Sequence, residues 1–164
     1  MQAKKVAFYA SFLALALILS YVELFLPLPV AIPGVKVGLA NLAVVILLYR
    51  EGVRGAGMVS VLRVLLSSLL FGTGVSLAYS MAGAVLSLAV MAAARRFMKA
   101  SVLGVSILGG VFHNIGQLAA AMMIVSNTKL AVYLPVLLIA GMVTGAVIGV
   151  VSGAVLRAFE KMRV

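Results

Sequence analysis

Six long apolar segments, separated by short polar or charged stretches, dominate this sequence. Hydrophobic residues occupy 65% of the 164 positions, and the mean hydropathy is +1.30. A soluble domain needs far more polar surface than this to cover a folded core. The sequence therefore predicts an all-α integral membrane protein, a single bundle of six transmembrane helices. The expected spans, each of roughly membrane-crossing length, are about 6–26, 37–49, 55–71, 75–94, 101–125 and 130–159.

The basic residues indicate how such a bundle is oriented. With the N-terminus inside, ten of the 13 Lys and Arg residues lie at cytoplasmic ends, whereas only Lys36 and Lys129 lie outside. Cytoplasmic loops are enriched in Lys and Arg, so this asymmetry predicts that both termini are cytoplasmic. The net charge of +10 does not indicate a nucleic-acid partner, because no basic face with interleaved aromatic residues is present.

Several residue types that carry chemistry are missing. The sequence has no cysteine and no aspartate, a single histidine, and three acids, Glu23, Glu51 and Glu160. Thiolate metal sites, aspartate-rich magnesium sites and multi-histidine zinc sites are therefore excluded for this chain alone. No phosphate-binding Gly-x-x-x-x-Gly-Lys-Ser/Thr motif occurs, so the chain cannot hydrolyse ATP itself. We expect no enzyme, no catalytic residue and no bound cofactor or metal.

Arg63 is the one basic residue placed deep within a predicted span. It follows Gly55 by eight residues, which corresponds to roughly 12 Å of helix. An arginine at that depth costs about 2.5–3.5 kcal/mol on insertion scales, so it should face the bundle interior and meet a partner. The candidate partners are Glu23, the only acid within a span, and an anionic ligand. The sequence leaves both open.

The fifth span contains three polar side chains, His113, Asn114 and Gln117. Their spacing of three and four residues places them on one flank of a helix. Together they offer donors and acceptors for an aromatic heterocycle or a carboxylate. Asn41 of the second span invites the same interpretation. Hydrogen bonds between helices would account equally well for such residues.

The connection between the first two spans is apolar but contains three prolines, at 27, 29 and 33. Proline prevents helical continuity, so the 27–36 stretch fits a lid or a re-entrant segment. Polar residues near the predicted outer mouth could contact a ligand or anchor the bundle in the interface. These residues are Lys36, Tyr79, Asn127, Lys129 and Tyr133.

Small residues recur at four-residue spacing in the first and last spans. Such rows allow close approach of a neighbouring helix, so we expect packing surfaces there. The row of the last span consists of glycines 141, 145, 149 and 153, and the two rows of the first span are Ala3, Ala7 and Ser11, and Ala10 and Ala14.

Several blocks of this sequence resemble the family labelled Gx transporter, also called heptaprenyl diphosphate synthase component I. The most specific are Pro33-Gly-Val-Lys36 and His113-Asn-Ile-Gly-Gln117. The other blocks are Leu62-Arg-Val-Leu-Leu-Ser-Ser-Leu-Leu-Phe-Gly72, Tyr79-Ser-Met-Ala-Gly-Ala-Val-Leu-Ser87 and Tyr133-Leu-Pro-Val-Leu137.

That family looks like the substrate-binding S components of energy-coupling factor transporters of prokaryotic plasma membranes. The resemblance implies six helices and a ligand pocket near the extracellular side, capped by the loop after helix one. It also implies uptake of a small anionic or heterocyclic nutrient, such as a vitamin or a flavin or quinone precursor. A separate transmembrane subunit and ATPases would energise this uptake, and the small-residue rows of helix one would face that subunit.

On this interpretation Arg63 neutralises the ligand, the polar side chains of the fifth span bind it, and Asn41 assists. Two other functions stay open. One is a non-transporting scaffold of a quinone or flavin electron-transfer assembly, and the other is an accessory component of prenyl diphosphate synthesis. A catalytic synthase is not expected, because those enzymes hold magnesium diphosphates through aspartate-rich motifs and this chain has no aspartate.

Overall fold

The computed structural model describes residues 2–25 and 38–162, and within these ranges the chain is all-helical. Five helices are long and apolar enough to cross a membrane, and a sixth, α2, is shorter. Short 3-10 segments, Glu23–Phe25 and Thr128–Tyr133, follow α1 and precede α6. The helices are α1 Gln2–Val22, α2 Asn41–Arg50, α3 Gly52–Phe71, α4 Gly74–Phe97, α5 Val102–Val125 and α6 Leu134–Lys161.

Local sequence explains where α4 and α5 begin. Thr73 and Ser76 form a capping box, in which each side chain accepts a hydrogen bond from the backbone N–H of the other, at 3.2 and 2.9 Å. Ser101 caps α5 by accepting the Gly104 N–H at 3.2 Å. These hydroxyls satisfy N–H groups that have no partner within the helix. Both connections can therefore remain short.

Helix α2 lies at the centre of the bundle, packed against α1, α3, α5 and α6. Its residues 43–48 are all buried. At ten residues it is about 15 Å long, half of a hydrocarbon core. Its N-terminal approach reaches the middle of α5, because Gly38 contacts His113. The predicted second span began at 37, whereas α2 begins at Asn41.

The glycines of α6 pack against α5, which confirms the predicted packing role for three of the four. A Cβ atom on Gly141 would lie 2.8 Å from the Gly110 carbonyl oxygen, and one on Gly145 would lie 2.7 Å from the Ile107 Cα. Gly149 is equally close to the Leu103 Cα, at 2.9 Å. Gly153 faces open space apart from an arginine side chain. We call the contact of Gly141, Gly145 and Gly149 with α5 the glycine seam.

Arginines concentrate at one end of the bundle, where α2, α4 and α6 end. The Arg50 guanidinium stacks on Phe159 at 4.4 Å from the ring centroid and on Phe8 at 5.5 Å. Arg95 donates hydrogen bonds to the last carbonyls of α2 and lies over the Tyr49 ring. Cations at helix C-termini are favoured by the helix dipole. This end is the one that the charge pattern predicts to be cytoplasmic.

Candidate functional site

Arg63 lies near the middle of α3 and is completely buried, with 0% of its surface exposed. Its Nε and Nη2 atoms have no hydrogen-bond partner among the described residues. Glu23 carries the opposite charge within electrostatic reach of the guanidinium. Buried donors are nearly always hydrogen-bonded, and leaving one unmet costs about 1–3 kcal/mol. Arg63 therefore offers two strong donors to an acceptor inside the bundle.

Glu23 joins the end of α1 to the approach of α2. Its Oε1 atom accepts a hydrogen bond from the Gly38 backbone N–H. Gly38 has a φ of +89°, a conformation that side-chain-bearing residues rarely adopt. Since the N-terminus of a helix carries a partial positive charge, a carboxylate at this position is stabilised by α2 as well as by Arg63.

His113 and Gln117 form one side of this region. The Gln117 Nε2 lies 2.8 Å from the His113 Nε2, so the amide donates and the ring nitrogen accepts. The pairing confirms that these two residues share a flank of α5. Gly83 of α4 packs directly on them: a Cβ there would be 2.7 Å from the His113 carbonyl oxygen and 2.8 Å from the Gln117 Cγ.

The two asparagines take different positions. Asn41 is buried beside Gly38, and its Nδ2 has no hydrogen-bond partner among the described residues. Asn114 points to α6, where its Nδ2 donates to the Leu137 carbonyl oxygen at 2.8 Å. Its Oδ1 is buried and accepts no hydrogen bond within the described residues. Asn114 is therefore partly committed to helix packing.

The residues predicted to cluster at the outer mouth differ in how deeply they are buried. Tyr79 is 3% exposed and lies one turn before Gly83, inside the bundle rather than at a rim. Its place in the second turn of α4 suggested an interfacial position, but packing of α4 against α5 buries it. Asn127 and Lys129 are exposed, and Tyr133 is half-buried. Lys36 and the 27–36 connection lie outside the described residues.

Arg63 and His113 approach the centre from different helices. Helix α3 packs mainly on α1, α2 and α4, whereas α5 packs mainly on α4 and α6 and touches α2 only slightly. Between them, Glu23 interacts electrostatically with Arg63 and bonds Gly38, which contacts His113 and Asn41. We call this group the polar core: Glu23, Gly38, Asn41, Arg63, His113 and Gln117.

Two residues that shape the site, Gly38 and Gly83, were not predicted from the sequence. Gly38 precedes Asn41 by three residues, a common place for glycine before a helix, but its contacts with Glu23 and His113 come from other helices. Gly83 has no local signal that distinguishes it from the other glycines. Within the described residues, no group of three or more His, Cys, Asp or Glu could hold a metal ion.

Comparison with known proteins identifies the family. The chain belongs to the family described as heptaprenyl diphosphate synthase component I, which matches residues 12–155. This match confirms the resemblance inferred from the sequence blocks. No curated protein and no solved structure matches the chain.

Proposed function

From membership in this family and from the polar core, we propose a membrane-embedded binding subunit, similar to the S component of an energy-coupling factor transporter. It binds a small anionic or heterocyclic nutrient, of the flavin- or quinone-precursor kind, from outside the cell. A separate ATPase module energises transfer across the prokaryotic plasma membrane, because this chain has no ATP-binding motif. Both termini face the cytoplasm, the side that the arginine-rich end of the bundle favours.

The observation that carries this proposal is the burial of Arg63 with two donor atoms, Nε and Nη2, that have no hydrogen-bond partner among the described residues. Ionisable residues inside a membrane are costly and generally serve a function. A carboxylate, phosphate or ring carbonyl would accept both N–H groups in the fork geometry that arginine favours. A bound ligand that accepts these hydrogen bonds would thus offset the energetic cost of burying the Arg63 donors.

Other members of the polar core, and three residues outside it, indicate which further groups the ligand should present. Within residues 2–25 and 38–162, the Asn41 Nδ2 and the Asn114 Oδ1 have no hydrogen-bond partner, so Asn41 offers an amide N–H and Asn114 a carbonyl oxygen. His113 and Gln117 add an imidazole and an amide within one turn of α5. Tyr79 lies one turn before Gly83 on α4, and Lys36 is proposed to contribute from the connection after helix one. Such a mixture of donors and acceptors suits a heterocycle with an acidic group.

Helix α1 supplies the surface for the energy-coupling transmembrane subunit. Only 22% of an 18-residue apolar stretch in this first span is buried inside the bundle. This is the smallest buried share among the five candidate membrane spans. Small residues on its exposed face allow another helix to approach closely. They are Ala3, Ala7, Ala10, Ser11 and Ala14, all exposed.

The decisive experiment is gentle purification followed by mass spectrometry of bound small molecules and of accompanying proteins. The wild type should retain one metabolite in stoichiometric amount, together with a transmembrane subunit and ATPases. Arg63→Gln should lose the metabolite but keep the proteins. Arg54→Gln, an exposed arginine on the same helix, is the matched control and should retain both. A wild type without any metabolite, or equal retention by both variants, would contradict the proposal.

A second function is favoured by the family description itself, which links the chain to heptaprenyl diphosphate synthesis. As an accessory or scaffold subunit it would use the polar core only to hold helices together, and the Glu23–Gly38 contact, which joins the end of α1 to the approach of α2, fits that role. Reconstitution with a prenyl diphosphate synthase in vesicles distinguishes the two. A rate increase that Arg63→Gln leaves intact supports the accessory role, and an unchanged rate removes it. Redox partners without a metabolite would instead indicate an electron-transfer scaffold.

A further inference from the structure

A groove of about 540 Å³ runs between the start of α3 and the end of α4, away from the polar core. Ala89, Ala92 and Ala93 of α4 line it together with Val53 of α3. Alanine side chains end at Cβ, so they leave an apolar channel on the lipid-facing surface. One turn further along, the helices close together, because a Cβ on Gly57 would lie 3.3 Å from the Leu88 Cδ2.

The open end of this groove is lined by Arg95 and Arg96. Arg95 is held by the last carbonyls of α2, whereas Arg96 is exposed and lies near the Phe97 ring, 5.8 Å from its centroid. Phe97 is itself 77% exposed, as is common for aromatic residues at the membrane interface. The groove thus combines an apolar channel with two positive charges at the end of the bundle that the charge pattern predicts to be cytoplasmic.

No acid offsets these charges. The chain has three acidic residues. Glu23 directly follows the C-terminal end of α1 and belongs to the polar core. Glu51 and Glu160 line a different cavity, of about 660 Å³, beside α5 and α6. Glu51 also accepts a hydrogen bond from Tyr9 of α1 at 3.1 Å. The α3–α4 groove therefore carries a net positive charge.

We propose that this groove binds an anionic phospholipid, with its phosphate on Arg96 and an acyl chain along the three alanines. Basic pockets between helices on the cytoplasmic side of membrane proteins suit anionic headgroups. The apolar channel selects a lipid rather than a free phosphate ion, because a free ion would leave it unfilled. The site is independent of the ligand bound in the polar core.

The test is lipid titration followed by native mass spectrometry, with phosphatidylglycerol compared with phosphatidylcholine. Arg96→Gln removes the headgroup contact, and Ala93→Leu fills the channel without changing the charge. Arg157→Gln, an exposed arginine in the other cavity, changes the net charge equally and is the control. Thermal unfolding in phosphatidylcholine verifies that the variants are folded.

We expect the wild type to retain phosphatidylglycerol in preference to phosphatidylcholine. Arg96→Gln should weaken that binding roughly five-fold, from about 1 kcal/mol per basic residue near an anionic lipid. Ala93→Leu should weaken both lipids, and Arg157→Gln should match the wild type. Equal loss in Arg157→Gln, unchanged binding in both groove variants, or inorganic phosphate binding as tightly as the lipid would overturn the proposal.

Discussion

The polar core and the glycine seam occupy the same bundle but are built on opposite principles. In the seam, backbone meets backbone: Gly141, Gly145 and Gly149 leave less than 3.0 Å between a hypothetical Cβ and the facing helix. In the polar core, polar side chains fill the space, and buried donors of Arg63 and Asn41 have no hydrogen-bond partner in the part of the chain that the structure describes. Dense packing stabilises membrane helices, whereas unmet polar groups do not. The comparison suggests that the seam holds the fold and the core serves a ligand.

The largest effect is expected in the seam. Gly145→Val places a branched side chain where even a Cβ would lie 2.7 Å from the Ile107 Cα and the Ser106 carbonyl oxygen. Because both contacts are backbone atoms, α5 and α6 must separate. We expect a loss of about 3 kcal/mol or more in the free energy of unfolding, at the upper limit of overpacking effects. Thermal unfolding in detergent measures it.

Gly153→Val is the matched control in the same glycine row. A Cβ there meets only the Arg157 Nη1, at 3.6 Å, so the free energy of unfolding should change by no more than about 0.5 kcal/mol. Similar losses in both variants would mean that valine acts through helix propensity. The seam would then lose its role as the support of the fold.

In the polar core, the next largest effect on stability should come from removing one of two opposite charges, that of Arg63 or that of Glu23. Arg63→Gln leaves the Glu23 carboxylate without its cation, whereas Glu23→Gln keeps an acceptor for the Gly38 N–H and removes only the charge. We expect the double variant to be more stable than the sum of the single variants implies, by about 1–3 kcal/mol. Denaturation of the four proteins gives this coupling energy. Additive effects would show that the two charges do not interact.

The difference between the two regions also explains what the sequence could predict. Four glycines at regular spacing belong to one helix, so their packing role is readable from local pattern, and the apolar segments likewise predicted the membrane-spanning helices. The polar core draws Glu23, Gly38, Arg63 and His113 from different elements. Their spacing along the chain is unrelated to their distance in space. The His113–Gln117 pair, one turn apart, was accessible from local spacing. Glu23 could be named as a candidate partner of Arg63 only because it is the one acid within a predicted span.

Alanine substitutions at Gly38 and Gly52 separate the effect of backbone strain from that of crowding by the added side chain. Gly38→Ala and Gly52→Ala both place a side chain at a positive φ, +89° and +81°, at a cost of about 1–2 kcal/mol each. A Cβ on Gly38 would also lie 3.2 Å from the Asn41 Nδ2 and the His113 Cδ2, while Gly52 has nothing within 4 Å. Ligand retention should therefore fall only in Gly38→Ala. Equal retention by the two variants would place the ligand away from this contact.

The smallest effect on stability should come from substitution of Asn114, which shares features with both the glycine seam and the polar core. Its amide bonds the Leu137 carbonyl on α6, as a packing residue does, while its unmet Oδ1 resembles the polar core. Asn114→Leu should cost about 1 kcal/mol of unfolding free energy, the usual value of one hydrogen bond. Gln117→Leu should lower ligand retention more than Asn114→Leu does, because Gln117 lies on the flank of α5 that carries His113. The reverse order would move the ligand towards α6, since a ligand held by the Asn114 carbonyl would lie beside the glycine seam.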